Sequence, residues 1–447
     1  MYIVYGSIFI IACINIYVSV LFTRFDVITV FIVNIVKYLF LVYTLGRALR
    51  VSIDYIYHIW RITLPKQRWP ALDGLRLIAF LLVFLHHFPP FHSEDYVLIS
   101  RISEALNIQG WIGVDIFLTL SSFLLTYLGI QEIEKTGSFS ILSFIIRRIL
   151  RIWPLYFIFL MYFHVTSLHF EEDLLTFGNS SLIHFPYFAT FTGNFSYFSR
   201  SDVFPENIGH LWTISLEEQY YVLICIGIIF YGRIKNRVLF YFGSLFVVGS
   251  LSKLAILFLK IEYPAIWVLP MARLDTISIG GIIALIVRRL ENSQHVLLKI
   301  KRPLNFVTLI VTISIFAVPD PRSITLNNCI ITIIPSIFSA LLIIHCTILE
   351  SLLKQILSLK PLELLGRITF GLYVFHFIGI NIASEFIRKY ESEIYIWNYL
   401  LFLSSAFFIT ITLALSSYLG LELAFLRKKV RFNALRLAST REASQVT

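Results

Sequence analysis

Apolar runs long enough to cross a lipid bilayer recur along the whole chain, and no other feature constrains its fold as strongly. A spanning helix rises 1.5 Å per residue across about 30 Å of hydrocarbon, so it needs about 20 mostly apolar residues. Twelve runs approach that requirement: 2–22, 27–45, 75–88, 111–130, 152–168, 211–231, 238–259, 274–287, 304–318, 329–349, 368–386 and 396–426. With 57% of its 447 residues hydrophobic and 14% charged, the chain cannot hide so much apolar surface in a soluble core. Hydrocarbon offers backbone N–H and C=O groups no water, so the expected fold is an all-α, polytopic transmembrane helix bundle. The first run lacks a short apolar h-region with a small-residue cleavage site, and reads as a retained helix. Cys13, Cys225, Cys329 and Cys346 are scattered without paired metal spacing, so no metal site is expected.

Basic residues orient the spans, because Lys and Arg accumulate in cytoplasmic loops. One alternate set of loops carries clusters such as Arg47 to Arg68, Arg147 to Arg151, Arg288 to Arg302 and Lys354 to Arg367. The opposite set is poor in base, and its longest member, His169 to Gly209, holds Arg200 alone among several acids. Both termini are therefore expected in the cytoplasm. The net charge of +10 follows from this topology and does not imply nucleic-acid binding. Three regions result: an N-terminal extension 1–68 with two transmembrane helices, a ten-helix membrane domain 69–426, and a basic cytoplasmic tail 427–447.

Ionisable side chains inside spans are costly, and each is a candidate for function. Arg76 and His87 stand eleven residues apart in the third span, which returns them to within about 20° of one helical face, about 16 Å apart along the axis. Neutral imidazole suits a general base for a hydroxyl, although a helix-end histidine near water with Arg76 as a snorkelling anchor would look alike. Asp115 enters the fourth span at a similar depth, where it could steady an imidazolium or pair structurally with a base. Arg147, Arg148 and Arg151 precede the fifth span, and Arg148 and Arg151 share a face if helical. Guanidinium forks suit phosphates, but positive-inside anchoring explains them too. His210, Trp212, Ser215, Glu217 and Glu218 lead into the sixth span, where two acids and a serine are expected to line a cavity. Asp73, Arg273, Asp275, Tyr373 and His376 complete the cavity candidates, His376 doubling as an interhelical hydrogen-bonder.

In this order the segments resemble the acyltransferase-3 family of integral membrane acyltransferases, over roughly Trp69 to Leu426. The resemblance rests on Leu72-Asp73-Gly74-Leu75-Arg76 with His87, on Gly113-Val114-Asp115, on the Arg148/Arg151 pair and on Leu211-Trp212-Thr213-Ile214-Ser215-Leu216-Glu217-Glu218-Gln219. Arg273-Leu274-Asp275 and Leu365-Gly366-Arg367 through Tyr373 and His376 complete it. It implies a ten-helix core, acyl-CoA (acetyl-CoA by default) as co-substrate with no bound cofactor, and a hydroxyl acceptor on a surface polysaccharide or lipid-linked glycan. A bacterial inner membrane is the implied location. His87 resembles the catalytic histidine, and Arg76 and the Arg148/Arg151 pair resemble residues needed for donor use. The mechanism expected from the residues themselves adds Arg147 to the donor site and has Asp115 or Glu217 steady the charge on His87. Ser121-Ser122-Phe123 departs from the family's Ser-Gly-Phe, and Ser122 is expected to crowd a helix contact.

The expected mechanism brings acyl-CoA from the cytoplasm past the arginines to His87, which deprotonates the acceptor for direct attack or briefly carries the acyl group. Tyr187, Phe198 and Asp202 in the outer loops are expected to admit a glycan. Two alternatives differ in class or acceptor: a secondary transporter, which should show an internal repeat, and an acyltransferase for a small molecule such as a macrolide.

Overall fold

In the computed structural model, which describes residues 69–169, 178–198, 206–261, 264–316, 332–388 and 396–428, every secondary-structure element is helical. The expected spans at 2–22 and 27–45, Cys13, Cys329, Asp202 and the tail beyond Lys428 lie outside the described residues. The helices are α1 (Pro70–His87), α2 (Val97–Gln109), α3 (Ile112–Thr136), α4 (Ile141–His169), α5 (Gly178–Ala189), α6 (Trp212–Arg233), α7 (Val238–Phe258) and α8 (Leu274–Leu290). There follow α9 (Gln294–Phe316), α10 (Ile334–Thr347), α11 (Lys360–Arg367), α12 (Thr369–Arg388) and α13 (Ile396–Ser417). Each of the ten runs expected after residue 69 coincides with one of them.

Six helices among the described residues are long and apolar enough to cross a bilayer, and α11 with α12 make a further span if their 76° bend is counted as one broken helix. The chain is an integral, multi-pass membrane protein. The helices overrun the apolar runs at their charged ends: α4 starts at Ile141, not at 152, and α9 at Gln294, not at 304. Arginine and lysine are good helix formers whose long stems let the charge reach water, so hydropathy ends before the helix does.

Close approach sets the position of α1. A Cβ at Gly113 would collide with the Ala79 carbonyl oxygen, so glycine lets α3 lie directly against α1. Gly366 in α11 permits the same contact with the Asp73 carbonyl at the other end of α1. Pro89 and Pro90 stop α1 after His87, leaving carbonyls without helical partners. Asn107 of α2 supplies them, donating through Nδ2 to the carbonyls of His86 at 2.8 Å and Phe88 at 3.0 Å, while His86 Nδ1 donates to the Asn107 carbonyl at 2.6 Å.

The expected crowding at Ser122 does not occur. Gly280 faces it across the α3–α8 contact, leaving room for the extra Cβ, and Ser122 Oγ donates to the Ile277 carbonyl at 2.6 Å. Two buried ion pairs tie the same region together, Arg273 with Asp115 at 2.6 Å and Lys253 with Asp275.

Candidate active site

His87 ends α1 with its ring against α12. His87 Nδ1 lies 3.1 Å from His376 Nε2, and His376 Nδ1 lies 2.6 Å from the Tyr373 carbonyl oxygen one helical turn earlier. His376 is fully buried, and the Phe377 ring packs 4.7 Å from that of His87. The expectation that Asp115 steadies His87 is corrected here, because Arg273, Thr276 and Ser336 occupy Asp115 Oδ1. Depth alone could not reveal which way Asp115 points; its buried arginine partner decides it.

The other side of His87 borders a chamber of about 460 Å³. His86, Asn107 and His210 supply polar groups, and Trp111, Trp212, Trp267, Tyr197 and Tyr373 supply aromatic faces. Trp111 and Trp267 meet edge to face at 4.3 Å, and the Arg273 guanidinium lies 5.0 Å over Trp267. The Asp115–Arg273 pair thus supports the chamber wall.

A second, smaller cavity of about 100 Å³ gathers Arg76, Arg148, Arg151, Ser121, Glu217 and Tyr221. Three guanidinium groups and one carboxylate leave it cationic. Asp73 binds Arg76 at 2.6 Å and stands 3.5 Å from Arg367, fixing Arg76 toward the cavity. Arg148 Nε is buried with no hydrogen-bond partner among the described residues. Glu217 accepts from Ser121 and belongs to this cavity, not to the surroundings of His87. Arg147 is corrected as well: one residue from Arg148 it projects about 100° away, and it pairs with Glu132 at 3.1 Å outside the lining.

Val114, Thr213 and Tyr373 line both spaces and form the partition between them. Tyr373 Oη lies 2.7 Å from Thr213 Oγ1 and donates to the His210 carbonyl at 2.8 Å, so the partition is latched in this conformation. Arg76 and His87, on one face of α1, open onto opposite sides of it.

Several expected cavity residues stand outside both linings. Asp73 lies behind Arg76, and Ser215 accepts from the Gly193 N–H at 3.2 Å. Glu218 sits beside Trp153, Arg273 and Asp275 are consumed in buried ion pairs, and His376 lies behind His87. Tyr197, not Tyr187 or Phe198, reaches the chamber. Trp111, Trp267, Asn107 and Lys253 went unrecognised in the sequence. Lys253, 1% exposed in an otherwise apolar run, carried a visible signal: a charge inside a span. Among the described residues no cluster of three or more His, Cys, Asp or Glu could hold a metal ion.

The sequence profile of the family described as acyltransferase domain matches residues 69–419. Among curated proteins, O-acetyltransferase OatA of Staphylococcus aureus (strain NCTC 8325 / PS 47) is 26% identical over 344 residues, covering 73% of this chain and 53% of that protein. The protein named "Putative O-acetyltransferase SACOL0978", from Staphylococcus aureus (strain COL), is 23% identical over 377 residues, covering 82% of this chain and 59% of that protein. The chain spans just over half the length of these relatives. No solved structure matches it.

Proposed function

The chain belongs to the acyltransferase-3 family, and from that premise we propose that it transfers an acetyl group from acetyl-CoA to a hydroxyl of a cell-surface polysaccharide or lipid-linked glycan. Family membership removes the transporter alternative. The names of the matched relatives support O-acetyl transfer. One observation carries the division of labour: a cationic cavity and an aromatic chamber meet at a partition one layer of side chains thick.

In this reading the phosphates of acetyl-CoA bind at Arg148, Arg151 and Arg76, from the cytoplasmic side of a bacterial inner membrane. The pantetheine arm passes between Thr213 and Tyr373 and carries the thioester to His87. Rings such as Trp111, Trp212 and Trp267 suit the apolar faces of a sugar, and the polar groups of His86 and Asn107 suit its hydroxyls. His87 takes the acceptor's hydroxyl proton as that oxygen bonds to the thioester carbonyl carbon. The C–S bond then breaks and the thiolate recovers the proton as free CoA thiol.

The test is mass spectrometry of surface glycans from cells making the wild-type protein or His87→Ala at equal levels. Loss of O-acetyl groups with the variant is expected. Identical acetylation would overturn the role of His87. Acetylation of a small molecule in place of any glycan would overturn the acceptor.

A further inference from the structure

The contacts behind His87 define a direction for protons. A carbonyl oxygen can only accept, so the 2.6 Å contact between His376 Nδ1 and the Tyr373 carbonyl requires a proton on that nitrogen. His376 is fully buried among rings, those of Phe80, Phe377 and His210 among them, and no carboxylate of the described residues contacts it. A charged imidazole without a counter-ion is costly there, so the ring is neutral and its Nε2 is an acceptor. At 3.1 Å the group facing that acceptor is His87 Nδ1, which must then donate. The Val83 carbonyl one helical turn back in α1 also accepts from the His87 ring, and like His376 Nε2 it calls for a proton on Nδ1. One tautomer of His87 satisfies both contacts: protonated on Nδ1, with Nε2 left for the chamber.

We propose that His376 is a positioning residue that holds His87 in its Nδ1–H tautomer, presenting Nε2 to the acceptor hydroxyl through the chain Tyr373 carbonyl, His376, His87. The proposal rests on the reading of His87 as the base. When His87 Nε2 takes the hydroxyl proton, the ring becomes an imidazolium whose Nδ1–H still points at His376 Nε2. That lone pair faces the new charge, the place a carboxylate holds in hydrolase triads. The same proton leaves from Nε2 to the CoA thiolate, and His376 is unchanged at the end of the cycle. An imidazole in this place adds no second ionised group to a site inside the membrane, where a buried carboxylate would need its own partner.

The tautomer can be read directly, independently of any acceptor, by nitrogen-15 solid-state NMR of histidine-labelled full-length protein in lipid nanodiscs. The His87 signals are assigned by their disappearance in His87→Ala. The wild type should show His87 Nδ1 protonated and Nε2 bare. His376→Phe, which leaves the Val83 carbonyl as the one remaining acceptor on that side of the ring among the described residues, should give a mixture of tautomers. It should also lower kcat for acetyl transfer about tenfold or more at unchanged KM for acetyl-CoA. His376→Gln places an amide oxygen near the Nε2 position and should restore both the tautomer and most of the rate. A wild-type His87 protonated on Nε2, or a tautomer unmoved in His376→Phe, overturns the proposal whether or not the variants are active. Full glycan acetylation by His87→Ala would instead overturn the reading of His87 and leave the NMR result standing.

Discussion

Arg273 of the turn before α8 donates to Asp115 of α3 across 2.6 Å, with both side chains fully excluded from solvent. Inside a membrane protein such a pair is held by mutual need: either charge alone would be stranded in a low-dielectric interior. Asp115→Ala should therefore destabilise the protein by about 3–5 kcal/mol, read as a fall in thermal unfolding temperature in detergent. Removing both charges in Asp115→Ala with Arg273→Met should recover a large part of that loss. If the double variant is as unstable as the single one, the carboxylate has a role beyond its arginine.

The cationic cavity separates three neighbouring arginines by direction. Arg148→Ala and Arg151→Ala should each weaken binding of CoA to purified protein about tenfold or more, since a hydrogen bond to a charged group contributes about 1.5–3 kcal/mol. Arg147→Ala removes a partner of Glu132 and should leave affinity within about threefold. Calorimetric titration of the three variants checks the order, and equal losses at all three positions would mean that nonspecific positive charge, not the cavity, holds the ligand.

Much of this arrangement is legible in the sequence, for physical reasons particular to membranes. Apolar runs report spanning helices directly, because hydrocarbon leaves the backbone no other partner, and each of the ten core runs coincides with a helix among the described residues. The placement of Arg76 and His87 along one helix face follows from 3.6 residues per turn alone. What stayed hidden depends on contacts between distant segments. His376 meets His87 across 289 positions of sequence. Trp267 sits in a single helical turn, Ala265–Val268, within a connection that hydropathy treats as a plain loop. Asp115 faces away from His87 because the α3–α8 contact turns it toward Arg273, and Ser122 fits because Gly280 lies opposite; a linear reading contains neither pairing.

The partition at Tyr373 makes a separate expectation. Tyr373→Phe keeps the backbone carbonyl that binds His376 but loses the hydroxyl's contacts with Thr213 and the His210 carbonyl. Removing a hydrogen bond contributing about 1 kcal/mol shifts a closed-to-open equilibrium about fivefold. Acetyl-CoA should then meet water in the chamber more often, so its acceptor-independent hydrolysis should rise about fivefold in purified protein. A free-thiol assay of released CoA measures this, and unchanged hydrolysis would show that the latch does not limit passage of the thioester.

Gly113 offers the sharpest test of how α1 is positioned. A methyl group there would strike the Ala79 carbonyl oxygen, a backbone atom that cannot rotate aside, so α1 and α3 must separate to admit it. Overpacking of this kind typically costs about 1–3 kcal/mol. The same displacement would move His87 away from Val114 and the partition, so Gly113→Ala should lose transfer activity out of proportion to its loss of stability. Gly243 in α7 is the control, because a Cβ there meets nothing within 4 Å. Gly243→Ala should raise stability slightly, by up to about 1 kcal/mol, through better helix propensity alone, and should leave activity intact. Thermal unfolding paired with glycan acetylation in cells distinguishes the two. Full activity in Gly113→Ala would mean that His87 does not depend on the close α1–α3 contact for its position.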